Sequence, residues 1–160
     1  MSRNGEICIK KSLGRLFGSR LLARWYMRRQ FEAIKRLQGI RGIPELIADF
    51  QAAQNAFYYR YIEADTLCDV QSVCDDFFKK LRVLLEAVWA RGVTHDSLCL
   101  RNILIDKQGQ PYLIDFESSY CKADSKLSRW FFKKMQREDL YHLYKLKMKL
   151  RPGLMTEEEV

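Results

Sequence analysis

Residues 92–118 read GVTHDSLCLRNILIDKQGQPYLIDFES, from Gly92 to Ser118. A His-Asp pair (His95, Asp96) precedes Asn102, which opens a short apolar run. Asp106-Lys107-Gln108-Gly109 has the composition of a turn, and a second apolar run from Pro111 to Ile114 ends in Asp115-Phe116. Two strands joined by a tight turn place Asn102 and Asp115 side by side at one end of a hairpin. An amide oxygen and a carboxylate together suit a hard, hydrated divalent cation, though the same pair can also simply cap a hairpin.

Gly92 closes the strongest helical pattern in the chain, Val73 to Ala90, with Phe77, Leu81, Leu84, Leu85, Val88 and Trp89 on one side. Before it, Glu45 to Phe50 and Ala56 to Ile62 read as strands, the second rich in β-formers. Glu63-Ala64-Asp65 reads as a link between two parts of the molecule. Ser19 to Leu37 is helical, with Ser19 as N-cap and Gly39 as stop. Leu22, Trp25 and Tyr26 share a face there, and Arg24, Arg28, Arg29, Lys35 and Arg36 surround it. Glu6 to Lys10 alternates like a short strand. Gly14 and Gly18 read as turn residues, and their spacing fits neither GxGxxG nor a P-loop. After the hairpin, Asp124-Ser125 cap a helix from about Leu127 to Leu150, which Pro152-Gly153 stops.

Composition narrows the partners. The 160 residues, 48% hydrophobic, bound one domain or two small lobes sharing a core. A net charge of +8, from 28 Lys+Arg against 20 Asp+Glu, favours anionic partners such as nucleotide phosphates or an acidic membrane face. No helix-turn-helix, zinc or RNP pattern supports nucleic acid. Five cysteines without a CxxC read as reduced thiols rather than as a disulfide frame or a zinc site. With no signal-peptide pattern and no apolar run near the ~20 residues of a membrane span, a cytoplasmic protein is expected.

Phosphoryl transfer asks a protein for metal ligands, a cation on the phosphates and a group that orients the acceptor hydroxyl. Asn102 and Asp115 are candidates for the metal, Lys10 for the cation, Glu32 for an ion pair holding Lys10, and Asp96 for the base.

The order Ile7-Cys8-Ile9-Lys10, Glu32, Tyr59-Arg60-Tyr61-Ile62-Glu63, His95-Asp96-Ser97-Leu98…Asn102 and Ile114-Asp115-Phe116-Glu117 resembles the protein-kinase-like superfamily. It is similar in particular to the small bacterial RIO-like kinases and the lipopolysaccharide-core (Kdo and heptose) kinases. The resemblance implies an α+β, bilobal fold, with residues 1–62 as first lobe and 63–160 as second. It implies ATP and Mg²⁺ or Mn²⁺, with Lys10 on the phosphates paired to Glu32, and Asn102 and Asp115 on the metal. Tyr61, Ile62 and Glu63 would lie beside adenine, and Asp139 would hold the catalytic loop. The acceptor would be a core-sugar hydroxyl or a protein Ser/Thr, with peripheral contact at an anionic inner membrane. A small-molecule antibiotic kinase fits the same logic, but such enzymes carry a larger helical part.

Three departures accompany the likeness. Only Met1 to Gly5 precede the Lys strand, short of a Gly-rich hairpin, so a truncated first lobe is expected. Ser97 stands where the pattern His-x-Asp-Leu-x-x-x-Asn has its Asp. Either the loop is one residue longer and Asp96 is the base, or the base is lost or displaced and the chain is a pseudokinase. Glu117 replaces the Gly that usually follows Asp-Phe.

Overall fold

A computed structural model of the chain describes residues 7–11, 17–49, 51 and 56–159. Its architecture is α+β, as expected, with three helices and three small antiparallel sheets. Strand β1 (Ile7–Lys11) pairs antiparallel with β2 (Ala56–Arg60), so that Cys8 faces Tyr59 and Lys10 faces Phe57. Helix α1 (Phe17–Arg36) lies between them in sequence. It begins before Ser19, so Ser19 is no N-cap and Gly18 is helical rather than a turn residue. Gly14 and Phe50 lie outside the described residues. Gly39 ends the helix as expected, with a φ of 86° that glycine adopts freely.

The inward face of α1 differs from the expected one. Met27, Gln30, Phe31, Ile34 and Leu37 are buried at a 3.6-residue period, whereas Leu22, Trp25 and Tyr26 are exposed. The strand expected over Glu45 to Phe50 reduces to an isolated bridge between Leu46 and Tyr59. Gly42 explains why the chain cannot run straight here. It has a φ of 98°, and an added Cβ would meet a Leu84 methyl and the Pro111 carbonyl, each at 2.8 Å. The connector is thereby held against the second half of the molecule, and Leu113 N–H donates to Gly42 O at 2.8 Å.

Residues 61–64 link β2 to the short strand β3 (Asp65–Thr66). Helix α2 (Phe77–Ala90) buries Phe77, Phe78, Leu81, Leu84, Leu85 and Val88. It starts four residues later than the pattern suggests, because Cys74 and Phe77 close a turn first. Strand β4 (Val93–Thr94) follows, and then the hairpin of β5 (Ile103–Ile105) and β6 (Pro111–Leu113). Its turn is fixed by Asp106, whose carboxylate accepts from Gln108 N at 2.9 Å and Gln110 N at 2.8 Å. The β3-β5-β6 sheet packs on α2, and β4 pairs with β7 (Tyr120–Cys121).

Helix α3 (Lys126–Leu150) starts as expected at Ser125, whose hydroxyl accepts from Ser128 N at 3.0 Å. One apolar cluster runs from Phe31, Ile34 and Phe57 through Leu85 and Ile103 to Phe116 and Leu143. Burial of each such side chain contributes about 1.5–3 kcal/mol, so the hairpin and β2, the partner of the Lys10 strand, are anchored on a shared core. All five cysteines are free. Among the described residues no helix is long and apolar enough to cross a membrane.

Candidate active site

The segment 94–97 is held from beneath by one carboxylate. Asp139 on α3 is fully buried and accepts from His95 N at 3.0 Å, Asp96 N at 2.8 Å and Trp89 Nε1 at 2.9 Å. Asp96 there has a φ of 57°, a left-handed conformation that Asp tolerates better than most residues. Asp115 at the hairpin's end also has a positive φ, 64°. Such backbone typically costs about 1–3 kcal/mol per residue and persists only where its surroundings enforce it.

His95 is fully buried between the two halves of the loop. Its Nε2 lies 2.9 Å from Ile114 O and its Nδ1 3.3 Å from Ser97 Oγ. With Nε2–H donating to the carbonyl, Nδ1 accepts from the serine. Burial pushes the His95 pKa below its usual value, although Asp139 and Ile114 O oppose the shift. The unfolded chain then binds a proton that the folded chain refuses, so stability falls as pH drops below the ordinary histidine value of about 6.5. A pH series of chemical denaturation should show stability falling as the pH drops below that ordinary value. His95→Gln, less stable overall, should lose that slope; an unchanged slope would place the acid sensitivity elsewhere.

Asn102 and Asp115 lie at the same end of the hairpin, linked through Ile114 and Ser97. Ile114 N–H donates to Asn102 O at 3.0 Å, and Ser97 Oγ lies 3.4 Å from Asn102 Nδ2 and 3.3 Å from Asp115 O. Asn102 Nδ2 also donates to Ser97 O at 2.9 Å. That bond leaves the amide oxygen without a hydrogen-bond partner among the described residues. The two hard oxygen groups fit a magnesium-type ion, which is usually held by one or two protein ligands with the rest from phosphate and water. No cluster of three His, Cys, Asp or Glu stands ready for a metal among the described residues.

Lys10 is joined to this end of the hairpin, its Nζ forming an ion pair with Asp115 Oδ1. The expected Lys10–Glu32 pair is not formed. Glu32 is exposed and lines a cavity with Arg29, Arg36 and Cys121. Gln30 takes the inner position instead. It is 1% exposed and donates from Nε2 to Asp115 Oδ1 at 3.0 Å, with its Oε1 buried and unpartnered. Residues 30 and 32 differ by two helical steps, about 200° around the axis. The apolar period through Met27, Phe31 and Ile34 marks residue 30 as inward, a signal the search for an acid passes over. Tyr59, opposite Cys8, is a second residue to which the sequence assigns no role at the site. Burial, with Cys8 and Asp115 nearby, pushes its phenol up to about 12.

Asp96 is half-buried. Burial raises its carboxyl pKa, Asp139 and Glu138 add to the rise, and His142 and Arg29 oppose it. These charged neighbours belong to α3 and α1, not to the Lys10–Asp115 pair. Tyr61, Ile62 and Glu63 form the link after β2, and Glu63 pairs across 3.5 Å with Lys107 of the hairpin turn.

Lys10 and Gln30 thus converge on Asp115, beside the loop that buries His95. The family model described as phosphotransferase enzyme family matches residues 12–122. The chain belongs to that family. Two curated relatives, 3-deoxy-D-manno-octulosonic acid kinases of Vibrio vulnificus strains CMCP6 and YJ016, are each 26% identical over 112 residues. The match covers 62% of this chain and 48% of each relative. Among solved structures, the Rio2 kinase–ADP/Mg²⁺–phosphoaspartate complex from Chaetomium thermophilum superposes with a TM-score of 0.65 at 20% identity. That match covers 92% of this chain and 47% of the neighbour. The fold is therefore kinase-like, and the chain spans about half the length of the proteins it resembles.

Proposed function

We propose that the chain transfers the γ-phosphate of ATP, with Mg²⁺ or Mn²⁺, to a hydroxyl of a lipopolysaccharide-core sugar. The observation that carries this reading is the convergence of Lys10, Asn102 and Asp115 at one end of the β5-β6 hairpin. Lys10 would contact the phosphates, Asn102 and Asp115 would hold the metal, and Tyr61, Ile62 and Glu63 would border the adenine. The metal supplies charge neutralisation on the phosphates. Glu32, away from this group, would have no part in holding Lys10; Gln30 would orient the Asp115 carboxylate instead. The two curated sugar kinases favour a sugar acceptor over a protein hydroxyl.

Asp96 is the group in this loop with a base's chemistry, and its raised pKa makes its carboxylate a stronger base. One observation favours a second reading, a nucleotide-binding pseudokinase. Asn102 Nδ2 binds Ser97 O and Ser97 Oγ touches Asp115 O, so Ser97 rather than Asp96 stands next to the metal ligands.

Transfer from radiolabelled ATP to a Kdo-bearing lipid A acceptor separates the two. With Asp96 as base, wild type should transfer, and Asp96→Asn should lose about 10²–10⁴-fold in rate while ATP binding persists. ATP binding without transfer in wild type would instead establish the pseudokinase. Transfer that survives Asp96→Asn undiminished would show that Asp96 is not the base.

A further inference from the structure

From Leu21 onward α1 exposes large apolar side chains where a soluble surface usually carries polar ones, and so does the start of α3. On α1, Leu21, Leu22 and Trp25 are 67%, 56% and 52% exposed; on α3, Leu127 and Trp130 are 74% and 63% exposed. Leu21 and Leu22 lie four and three residues before Trp25, and Leu127 lies three before Trp130, so each set shares one side of its helix. The two helices meet through β7. Trp25 and Tyr120 line a cavity of about 620 Å³, and the Tyr120 ring packs edge-on against Phe131 with centroids 4.8 Å apart. Tyr120 also donates to Ser128 Oγ at 2.8 Å. Trp25 of α1 and Tyr120, which carries Phe131 of α3 against it, thus border one pocket between the two helices.

Positive charge dominates this region, with Glu32 the one acid at the pocket wall. Among the described side chains α1 carries Arg24, Arg28, Arg29, Lys35 and Arg36 against Glu32, and residues 126–137 of α3 carry five basic residues against none. Arg28, Arg29 and Arg36 open into the pocket. Arg29 and Arg36 are anchored on backbone, to Ser119 O at 2.6 Å and Lys122 O at 3.4 Å, which fixes their guanidinium groups at the pocket wall. Exposed tryptophan and leucine set among arginine and lysine is the composition of an interfacial membrane surface. The aromatic rings enter the headgroup layer and the cations take its phosphates.

We infer that the face built by the first halves of α1 and α3 docks on an anionic bilayer, the arginine-lined pocket between them receiving a phosphate-bearing lipid headgroup. This surface is distinct from the Lys10–Asp115 pair, and its binding needs neither nucleotide nor acceptor. Docking orients α1, which supplies Gln30 to Asp115, against the membrane plane. A lipid-linked acceptor would thus be met from a fixed direction.

The test is partition of the full chain onto vesicles without nucleotide or sugar. It should bind vesicles containing roughly a third phosphatidylglycerol but not pure phosphatidylcholine, with a blue shift of tryptophan emission. Removal of each exposed arginine should weaken partition about fivefold, so Arg24→Gln with Arg28→Gln should weaken it about 25-fold. Leu127→Ala with Trp130→Ala should lower partition even at low salt. Val83→Ser, an exposed apolar residue on α2, should change nothing. All these side chains are exposed, and a thermal melt checks that each variant folds. Equal binding to both vesicle types, or full binding by either double variant, overturns the inference. So does a concentration-dependent dimer dispersed by the same variants without vesicle binding, which would make the face a protein interface. Stabilisation by inorganic phosphate with no vesicle binding would make the pocket a soluble-anion site and overturns it as well. Failure of phosphate transfer would leave the result intact.

Discussion

Asp115→Asn should erase the thermal stabilisation that ATP with Mg²⁺ gives the wild-type chain. A ligand that binds only the folded state stabilises it by about 2.7 kcal/mol at a hundredfold excess over Kd. At this chain length that corresponds to a shift of roughly 5–10 °C. Asp115 is the only carboxylate in the proposed metal pair, and Asn102 alone offers a weak, neutral oxygen. The variant's amide can still accept from Gln30 Nε2, but it cannot balance the charge of Lys10. Without ligand the change should be small, because the Lys10 and Asp115 side chains are 30% and 38% exposed, and solvent screens such a pair. The measurement is a melt of both proteins with ATP and Mg²⁺, ATP and chelator, and neither. A full shift retained by Asp115→Asn would remove Asp115 from the metal and with it the basis of the proposed function.

The parts of the fold legible in the sequence are those whose signals are local. The hairpin declared itself through Asp106 and Gly109, whose turn chemistry needs nothing from the rest of the chain. Helix α3 declared itself through Ser125, and α2 through a single unambiguous apolar stripe. Helix α1 was harder because it carries two apolar sets. Leu22, Trp25 and Tyr26 compete with Met27, Phe31, Ile34 and Leu37, and only tertiary packing, such as Phe57 of β2 against Phe31, decides which set is buried. The same ambiguity misdirected the lysine's partner: Glu32 has the right charge on the right helix, but the face chosen by packing presents Gln30. The strands β3, β4 and β7 have two residues each and exist through their partners, so no propensity could reveal them. The register of the loop around His95 was open because it depends on where Asn102, five residues after Ser97, places its amide.

Asp139→Ala should be the most damaging single change at the site, although Asp139 touches neither candidate metal ligand. The substitution removes three hydrogen bonds to a charged acceptor and leaves the buried His95 N–H and the Asp96 N–H without partners. Hydrogen bonds of this kind contribute about 1.5–3 kcal/mol each, and stranded buried donors add a similar penalty. With partial relaxation the expected loss is about 3–5 kcal/mol, or roughly 8–15 °C in Tm. Asp139→Asn should lose about half as much: its oxygen can still serve Trp89 and His95, while its NH₂ faces the Asp96 N–H, donor against donor. The consequences for turnover follow from backbone geometry. Asp96 holds a φ of 57° because Asp139 grips its amide, and the loop relaxes when that grip is lost. In Asp139→Asn the ATP–Mg²⁺ shift should therefore survive, since Lys10, Asn102 and Asp115 keep their contacts, while any transfer depending on Asp96 should fall by at least tenfold. Melts and transfer assays on the two variants read these effects separately. A Tm within 2 °C of wild type for Asp139→Ala would show that the loop is held by its own chain rather than by α3.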